Sequence, residues 1–254
     1  MKRLVLDIGN TRTSAGVFVD GRLDIQWRIT TRHWTADDLW VILRSLLKAD
    51  NCELPDALAY ACVVPQVRHA LQNLSRRYIK ADPVEVTVET AGITIDYDYP
   101  HELGADRLAN AAAVLSLGST PSIVVDFGTA TTFDVIDIKG IYLGGAIAPG
   151  VGTAAGELFK KAEKLNPVDL EFPASPLGKS TAEAVCSGVL LGAVGATDLI
   201  IDELTKVIEG EPEIWATGGW GPGIADKCRN PMRICPELTL AGIDCIGERY
   251  SNEN

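Results

Sequence analysis

The chain has 254 residues, 46% of them hydrophobic and 22% charged, a globular composition long enough to bury a core without disulfide staples. A formal net charge of −11 excludes nucleic acid as the main partner, because phosphate backbones are bound by clustered Lys and Arg. The N-terminal apolar run stops at Asp7, too soon for a signal peptide, and no stretch reads as a membrane span. Six cysteines without Cys-x-x-Cys spacing, beside only three histidines, offer no zinc site and read as reduced, mostly buried thiols of a cytoplasmic protein.

In chain order, the apolar pattern predicts strands at 3–7, 13–19 and 23–29, the last two joined by the hairpin pair Asp20-Gly21. A helix capped by Thr35 and opened by acidic residues runs to Ala49. A strand at 57–63, a helix from Pro65 to Tyr78, a strand at 84–88 and an alanine-rich helix over 104–117 follow. At residue 121 the pattern begins again, with strands at 122–126, 132–138 and 141–146 and Lys139-Gly140 in the second turn. A Gly-rich stretch over 144–152, a helix at 153–164 and a Pro-bearing loop over 166–178 come next. They lead to a long apolar helix at 181–208, a strand at 213–217 and a helical tail at 237–250. Asp7 to Gly21 and Asp126 to Gly140 are both 14 residues, and the two sets are offset by 119. This is the signature of an internal duplication. It predicts an α/β protein with mixed sheets in two related domains, residues 1–118 and 119–254.

Asp7-x-Gly9-Asn10-Thr11 places a carboxylate at the end of a buried strand, beside a Gly turn whose N–H groups can cradle phosphate oxygens. Such a carboxylate can hold Mg²⁺ through water. The motif returns as Asp126-x-Gly128-Thr129, and two such turns facing across a cleft suit a metal-bound nucleoside triphosphate. The hydroxyls of Thr11, Thr129, Thr131 and Thr132 are the expected extra donors. Two other motifs are decoys. Gly178-Lys179-Ser180 ends like a Walker A loop but has Pro173 where the first Gly belongs. Gly150-x-Gly152-x-x-Ala155 leads into a Pro-bearing loop around Asp169 and Glu171 rather than into a strand. Gly104-Ala105-Asp106-Arg107, before the alanine-rich helix, reads locally as an N-cap Asp with a solvated Arg. It also offers an acid for a reacting hydroxyl and a base for a substrate anion.

Asp-Ile-Gly-Asn-Thr at 7–11, Val63-Val64-Pro65, Gly-Ala-Asp-Arg at 104–107 and Asp-Phe-Gly-Thr-Ala-Thr-Thr at 126–132 occur in that order. They are followed by Gly-Gly-x-Ile-x-Pro-Gly at 144–150, Gly-Lys-Ser-Thr at 178–181 and Thr-Gly-Gly at 217–219. From about residue 3 to residue 246 the chain thereby resembles the type III pantothenate kinase family, in the acetate kinase–sugar kinase–Hsp70–actin superfamily. The resemblance implies two ribonuclease H-like (actin-like ATPase) domains with a nucleotide cleft between them. It implies ATP-dependent phosphorylation of the primary hydroxyl of pantothenate, the first step of coenzyme A synthesis. It also implies a homodimer with sites near its interface. Carried over by motif, Asp7, Ile8, Gly9, Asn10, Thr11, Arg12, Thr13 and Ser14 would form the ATP phosphate loop, and Thr129 would contact ATP. Asp106 would be the general base. Gly104, Ala105 and Arg107 would line the pantothenate site, with Tyr97 and Thr181 beside them. Asp126 would bind the monovalent cation, K⁺ or NH₄⁺, and Asp7 would hold Mg²⁺ (or another divalent cation) through water. The sequence departs from the family where Tyr99 replaces an Asn that often precedes Pro100, and it matches only loosely over Ala162–Asn166. Another small-molecule kinase or phosphohydrolase of the superfamily, or a catalytically silent nucleotide-binding regulator, would share the Asp-Gly turns.

Overall fold

The computed structural model describes residues 1–162 and 164–253, so Glu163, within the loosely matching segment, lies outside the described residues. The chain divides into two compact units, residues 1–118 joined by the segment from 237 onward, and residues 119–236.

In the first unit, β1 (Lys2–Ile8) is central because Leu4, Val5, Leu6 and Ile8 are all buried, so both of its faces are covered. It pairs antiparallel with β2 (Arg12–Val19), which pairs antiparallel with β3 (Arg22–Thr30). On its other side β1 pairs parallel with β4 (Ala57–Cys62), which pairs parallel with β5 (Val84–Glu85). Helix α1 (Ala36–Ala49) starts with a capping box in which Thr35 and Asp38 satisfy each other's backbone N–H groups. Its Leu39, Leu43 and Leu47 join Leu6, Leu58 and Tyr60 in the core. Helix α2 (Pro65–Leu74) continues as a π-helical turn over Ser75–Ile79 and ends at Lys80, with φ of 66°. The strand expected at 84–88 stops after two residues. Thr87 and Thr90 form a second capping box there and turn the chain into α3 (Val88–Ala91). A two-residue strand, β6 (Thr94–Ile95), precedes α4 (Ala105–Ser116).

The second unit repeats the pattern. Strand β7 (Ser122–Phe127) pairs antiparallel with β8 (Ala130–Ile136), and β8 with β9 (Ile141–Pro149). Strand β10 (Glu213–Thr217) lies parallel to β7, and β11 (Arg233–Ile234) parallel to β10. The Gly-rich stretch expected after β9 is part of it. Gly145, with φ of 155°, has no room for a Cβ against the Phe133 carbonyl, so a side chain there would break the ladder. Helices α5 (Val151–Lys161) and α6 (Thr181–Thr205) come before β10, and the short α7 (Gly221–Ala225) after it. Sequence patterning missed α7 and β11.

The expectation that no stretch reaches membrane-spanning length is corrected by α6. Its 25 residues are long and apolar enough to cross a membrane by length and composition. In the fold it buries Val185, Cys186, Leu190 and Ile201 in the second unit. The decoy Gly178-Lys179-Ser180 is its start, where Ser180 accepts the Glu183 N–H at 3.2 Å as N-cap.

The last helix, α8 (Leu238–Glu253), follows β11 in sequence but belongs to the first unit, so the second domain ends at Pro236 and not at 254. It crosses α4 so closely that a Cβ on Gly242 would overlap the Ala109 carbonyl. Thr239 Oγ1 donates to Asn110 Oδ1 at 2.8 Å, and Arg3 meets Asp244 in a buried ion pair at 2.5 Å. All six cysteines are free thiols, but only Cys62 and Cys186 are buried and the other four are half-buried, fewer than expected.

Candidate active site

Each central strand presents one aspartate just before it ends. Asp7 lies between Ser14 on β2 and Ala61 on β4. Asp126 lies between Thr132 on β8 and Thr217 on β10. Both sit at the carboxyl ends of parallel strand pairs, the edge at which open α/β sheets bind ligands. After Asp7 the chain turns through Gly9–Arg12, closed by the Gly9 N–H on the Arg12 carbonyl at 3.1 Å. A Cβ on Gly9 would approach that carbonyl to 2.9 Å. Asn10, Thr11 and Arg12 are exposed there. Ile8 and Thr13 are fully buried, so their side chains shape the loop from within. The second turn is closed by the Gly128 N–H on the Ala130 carbonyl at 3.0 Å. Thr129 is exposed at its tip, whereas Thr131 is buried. Gly218, in a left-handed turn with φ of 86° after β10, lies so close to Asp126 that a Cβ would overlap its carboxylate.

Gly104–Arg107 differs from its local reading. The N-cap of α4 is Gly104, with Asp106 two residues into the helix. The Asp106 carboxylate curls back over Gly104, into the space a Cβ would need, and accepts the Arg107 N–H at 2.9 Å. Gly is therefore required for this carboxylate's position. Burial pushes the Asp106 carboxyl above the usual carboxylate range, against the lowering effects of the Arg107 N–H and guanidinium. Arg107 is buried, not solvated. A helix start bearing an aspartate of raised basicity beside a buried arginine is equipped to take a proton while holding an anion.

The remaining expected residues lie on separate elements. Ala105 opens α4, Tyr97 is exposed ahead of it, and Thr181 is the exposed first residue of α6 in the other unit. Asp7–Ser14, Tyr97 and Gly104–Arg107 belong to the first unit, and Asp126, Thr129 and Thr181 to the second. Among the described residues no three His, Cys, Asp or Glu side chains are grouped to hold a metal ion. Sequence reasoning missed Thr31 and Thr153, whose hydroxyls donate to the carbonyls of Gly9 (2.7 Å) and Thr129 (2.6 Å). Thr31 lies in no motif and Thr153 only at a variable position of the decoy Gly150-x-Gly152-x-x-Ala155, and only the folded register brings them to the turns.

Comparison with known proteins places the whole chain among relatives of one name. A family model described as type III pantothenate kinase matches residues 3–203. A type III pantothenate kinase from Desulfatibacillum aliphaticivorans is 42% identical over 98% of this chain and 99% of its own. One from Roseiflexus sp. (strain RS-1) is 41% identical over 96% and 98%. The crystal structure of a ROK hexokinase from Thermus thermophilus superposes with a TM-score of 0.56 at 15% identity over the whole of both chains, a likeness of fold alone.

Proposed function

The chain belongs to the type III pantothenate kinase family, whose reaction is ATP-dependent phosphorylation of pantothenate in coenzyme A biosynthesis, and we propose that Asp106 is the general base of that reaction. The observation that supports this most is the Asp106 carboxylate itself, seated over Gly104 and raised in basicity by burial. Phosphoryl transfer has a loose transition state, so the protein contributes positioning and charge neutralisation rather than covalent chemistry. Asp106 takes the proton of the pantothenate hydroxyl as the bond to phosphorus forms. Arg107, with Gly104, Ala105, Tyr97 and Thr181, holds the substrate. The turn from Asp7 to Ser14 and Thr129 position the ATP phosphates.

A kinase of this kind depends on a divalent cation, and we assign Mg²⁺ to Asp7. A single carboxylate beside a Gly turn fits an ion that keeps most of its waters and shares phosphate oxygens. Bound there, the ion neutralises charge on the transferring phosphoryl group. The Asp126 carboxylate, pressed against the Gly218 turn, offers oxygen atoms that can coordinate K⁺ or accept hydrogen bonds from NH₄⁺. A homodimer is supported by one face of α6, on which Leu191 and Leu199 are exposed beside the exposed Gly188, Gly192 and Gly195. The cytoplasm, where ATP is supplied, is the compartment this activity requires.

ADP formation with pantothenate and Mg²⁺, with and without K⁺, tests the reading. Turnover should need pantothenate and rise with K⁺, and Asp126→Ala should remove the K⁺ response. ADP release independent of pantothenate, or a K⁺ response intact in Asp126→Ala, would overturn the respective assignment.

A further inference from the structure

Thr31, the residue that follows β3, returns to the first Asp-Gly turn and grips it at two points. Its N–H donates to the Thr11 carbonyl at 3.1 Å, and its hydroxyl to the Gly9 carbonyl at 2.7 Å. Thr13 Oγ1 lies 2.8 Å from Thr31 Oγ1. A hydroxyl has one hydrogen, and that of Thr31 is spent on Gly9, so Thr13 donates to Thr31. The result is a directed chain from the buried Thr13 through Thr31 to the turn, in which each bond polarises the next.

We propose that Thr31 is a positioning residue for the nucleotide phosphates, holding the Gly9–Asn10 peptide in the orientation that presents its N–H to them. The peptide is planar and trans, so its C=O and N–H point in opposite directions. With the Gly9 carbonyl tied to Thr31, the Asn10 N–H faces away from Thr31, in a turn whose Asn10, Thr11 and Arg12 are exposed. Without the hydroxyl, this peptide can rotate between orientations, and phosphate binding must then select the correct one. The cost falls on ATP and not on pantothenate. The inference rests on the reading of this turn as the phosphate loop, and Asp7→Asn serves as the control for that reading.

The test is steady-state kinetics, with melting temperatures, for Thr31→Val, Thr31→Ser and Asp7→Asn. Thr31→Val keeps shape and backbone and removes the donor. It should raise the KM for ATP about fivefold, the scale of one hydrogen bond, and leave the KM for pantothenate within about twofold. Thr31→Ser should restore the parent value. If Thr31→Val does not fold, Thr31→Ala takes its place with the same expectation. An unchanged KM for ATP, an equal rise for both substrates, or a Ser variant no better than Val would overturn the role of Thr31. If Asp7→Asn weakens ATP while Thr31→Val does not, the clamp fails and the loop assignment stands. If Asp7→Asn leaves ATP unaffected, the loop assignment falls and the clamp with it.

Discussion

The two units carry the same five strands in the same order and polarity, yet their Asp-Gly turns differ in length. Between the paired Ile8 and Thr13 lie four residues; between the paired Phe127 and Thr131 lie three. The residue lost at the second turn returns at the following hairpin. Val19 and Arg22 pair across Asp20-Gly21, whereas the Asp137 N–H reaches the Ile141 carbonyl across a three-residue turn. The two Asp-to-Gly spacings therefore match in sequence while the strands between them sit one residue out of step.

This has a consequence at the turns. Thr31 and Gly150 occupy corresponding places after the third strands, and each donates its N–H to a turn carbonyl at 3.1 Å. In the longer first turn that place accommodates a threonine whose hydroxyl holds Gly9. In the tighter second turn the Gly128 and Thr129 carbonyls fill the volume a Cβ would need, and the hydroxyl clamp comes instead from Thr153, on the first turn of α5. The same fold thus reaches the same kind of restraint through different residues.

The largest difference between the units is chemical. Helix α4 brings a carboxylate of raised basicity to its start, whereas α8, which follows β11 in sequence, belongs to the first unit and packs on α4. Asp106→Asn should lower kcat by about 10²–10⁴-fold, the usual contribution of a positioned base, while both substrates still bind. The base must be ionised, so the parent's rate should fall as pH drops through a pKa above the usual aspartate value, and the variant should lack that limb. The sign for stability is opposite. A carboxyl raised on folding favours the protonated folded state, so its contribution is present at low pH and lost as pH rises through the folded value. At neutral pH the variant should therefore melt no lower than the parent. A variant that keeps the parent's kcat, or its acid limb, would remove Asp106 as base.

The next effect tests where α8 belongs. Asp244→Ala would leave Arg3 charged and buried without its partner, which costs about 3–5 kcal/mol. Denaturant unfolding should show that loss. Hydrogen exchange should report it in β1, β4 and α4, with β7, β8 and β10 protected as before. Equal loss of protection in both sheets would mean that α8 does not serve the first unit alone.

Such long-range attachments were not legible in the sequence, whereas the local elements were. Strands that alternate or bury both faces, the Thr35 cap and the hairpin Asp20-Gly21 are set by neighbours a few residues apart, and they stand where patterning placed them. The same locality revealed the duplicated aspartates. Patterning did not foresee Thr87 and Thr90 ending β5, because two threonines with high strand propensity satisfied each other's backbone N–H groups instead. Nor could it tell that Arg107 would be buried, that Asp106 would occupy the space over Gly104, or that Thr31 would reach back to Gly9 across 22 residues. Each of these depends on which elements the fold sets side by side. The motif located the reactive residues, and the structure supplied the reason for the glycine before them.

The smallest expected effect separates the two turns most cleanly. Gly150 has an ordinary backbone conformation, with φ of −66°, so alanine there meets no torsional penalty and any loss must come from the crowded carbonyls. These are backbone atoms of a hydrogen-bonded turn and cannot swing aside as a flexible side chain would. Gly150→Ala should therefore cost about 1–3 kcal/mol, the range for overpacking, and should displace Thr129 enough to weaken ATP. Thr31→Ala, at the corresponding place in the roomier turn, adds no atoms and should lose the hydroxyl's contribution, about 1 kcal/mol, and that of a half-buried methyl, under about 0.8 kcal/mol. Thermal melts and ATP titrations of the two variants side by side measure the difference. If Gly150→Ala is as mild as Thr31→Ala, the one-residue shortening of the second turn has no energetic consequence, and the correspondence between the turns is closer than their geometry indicates.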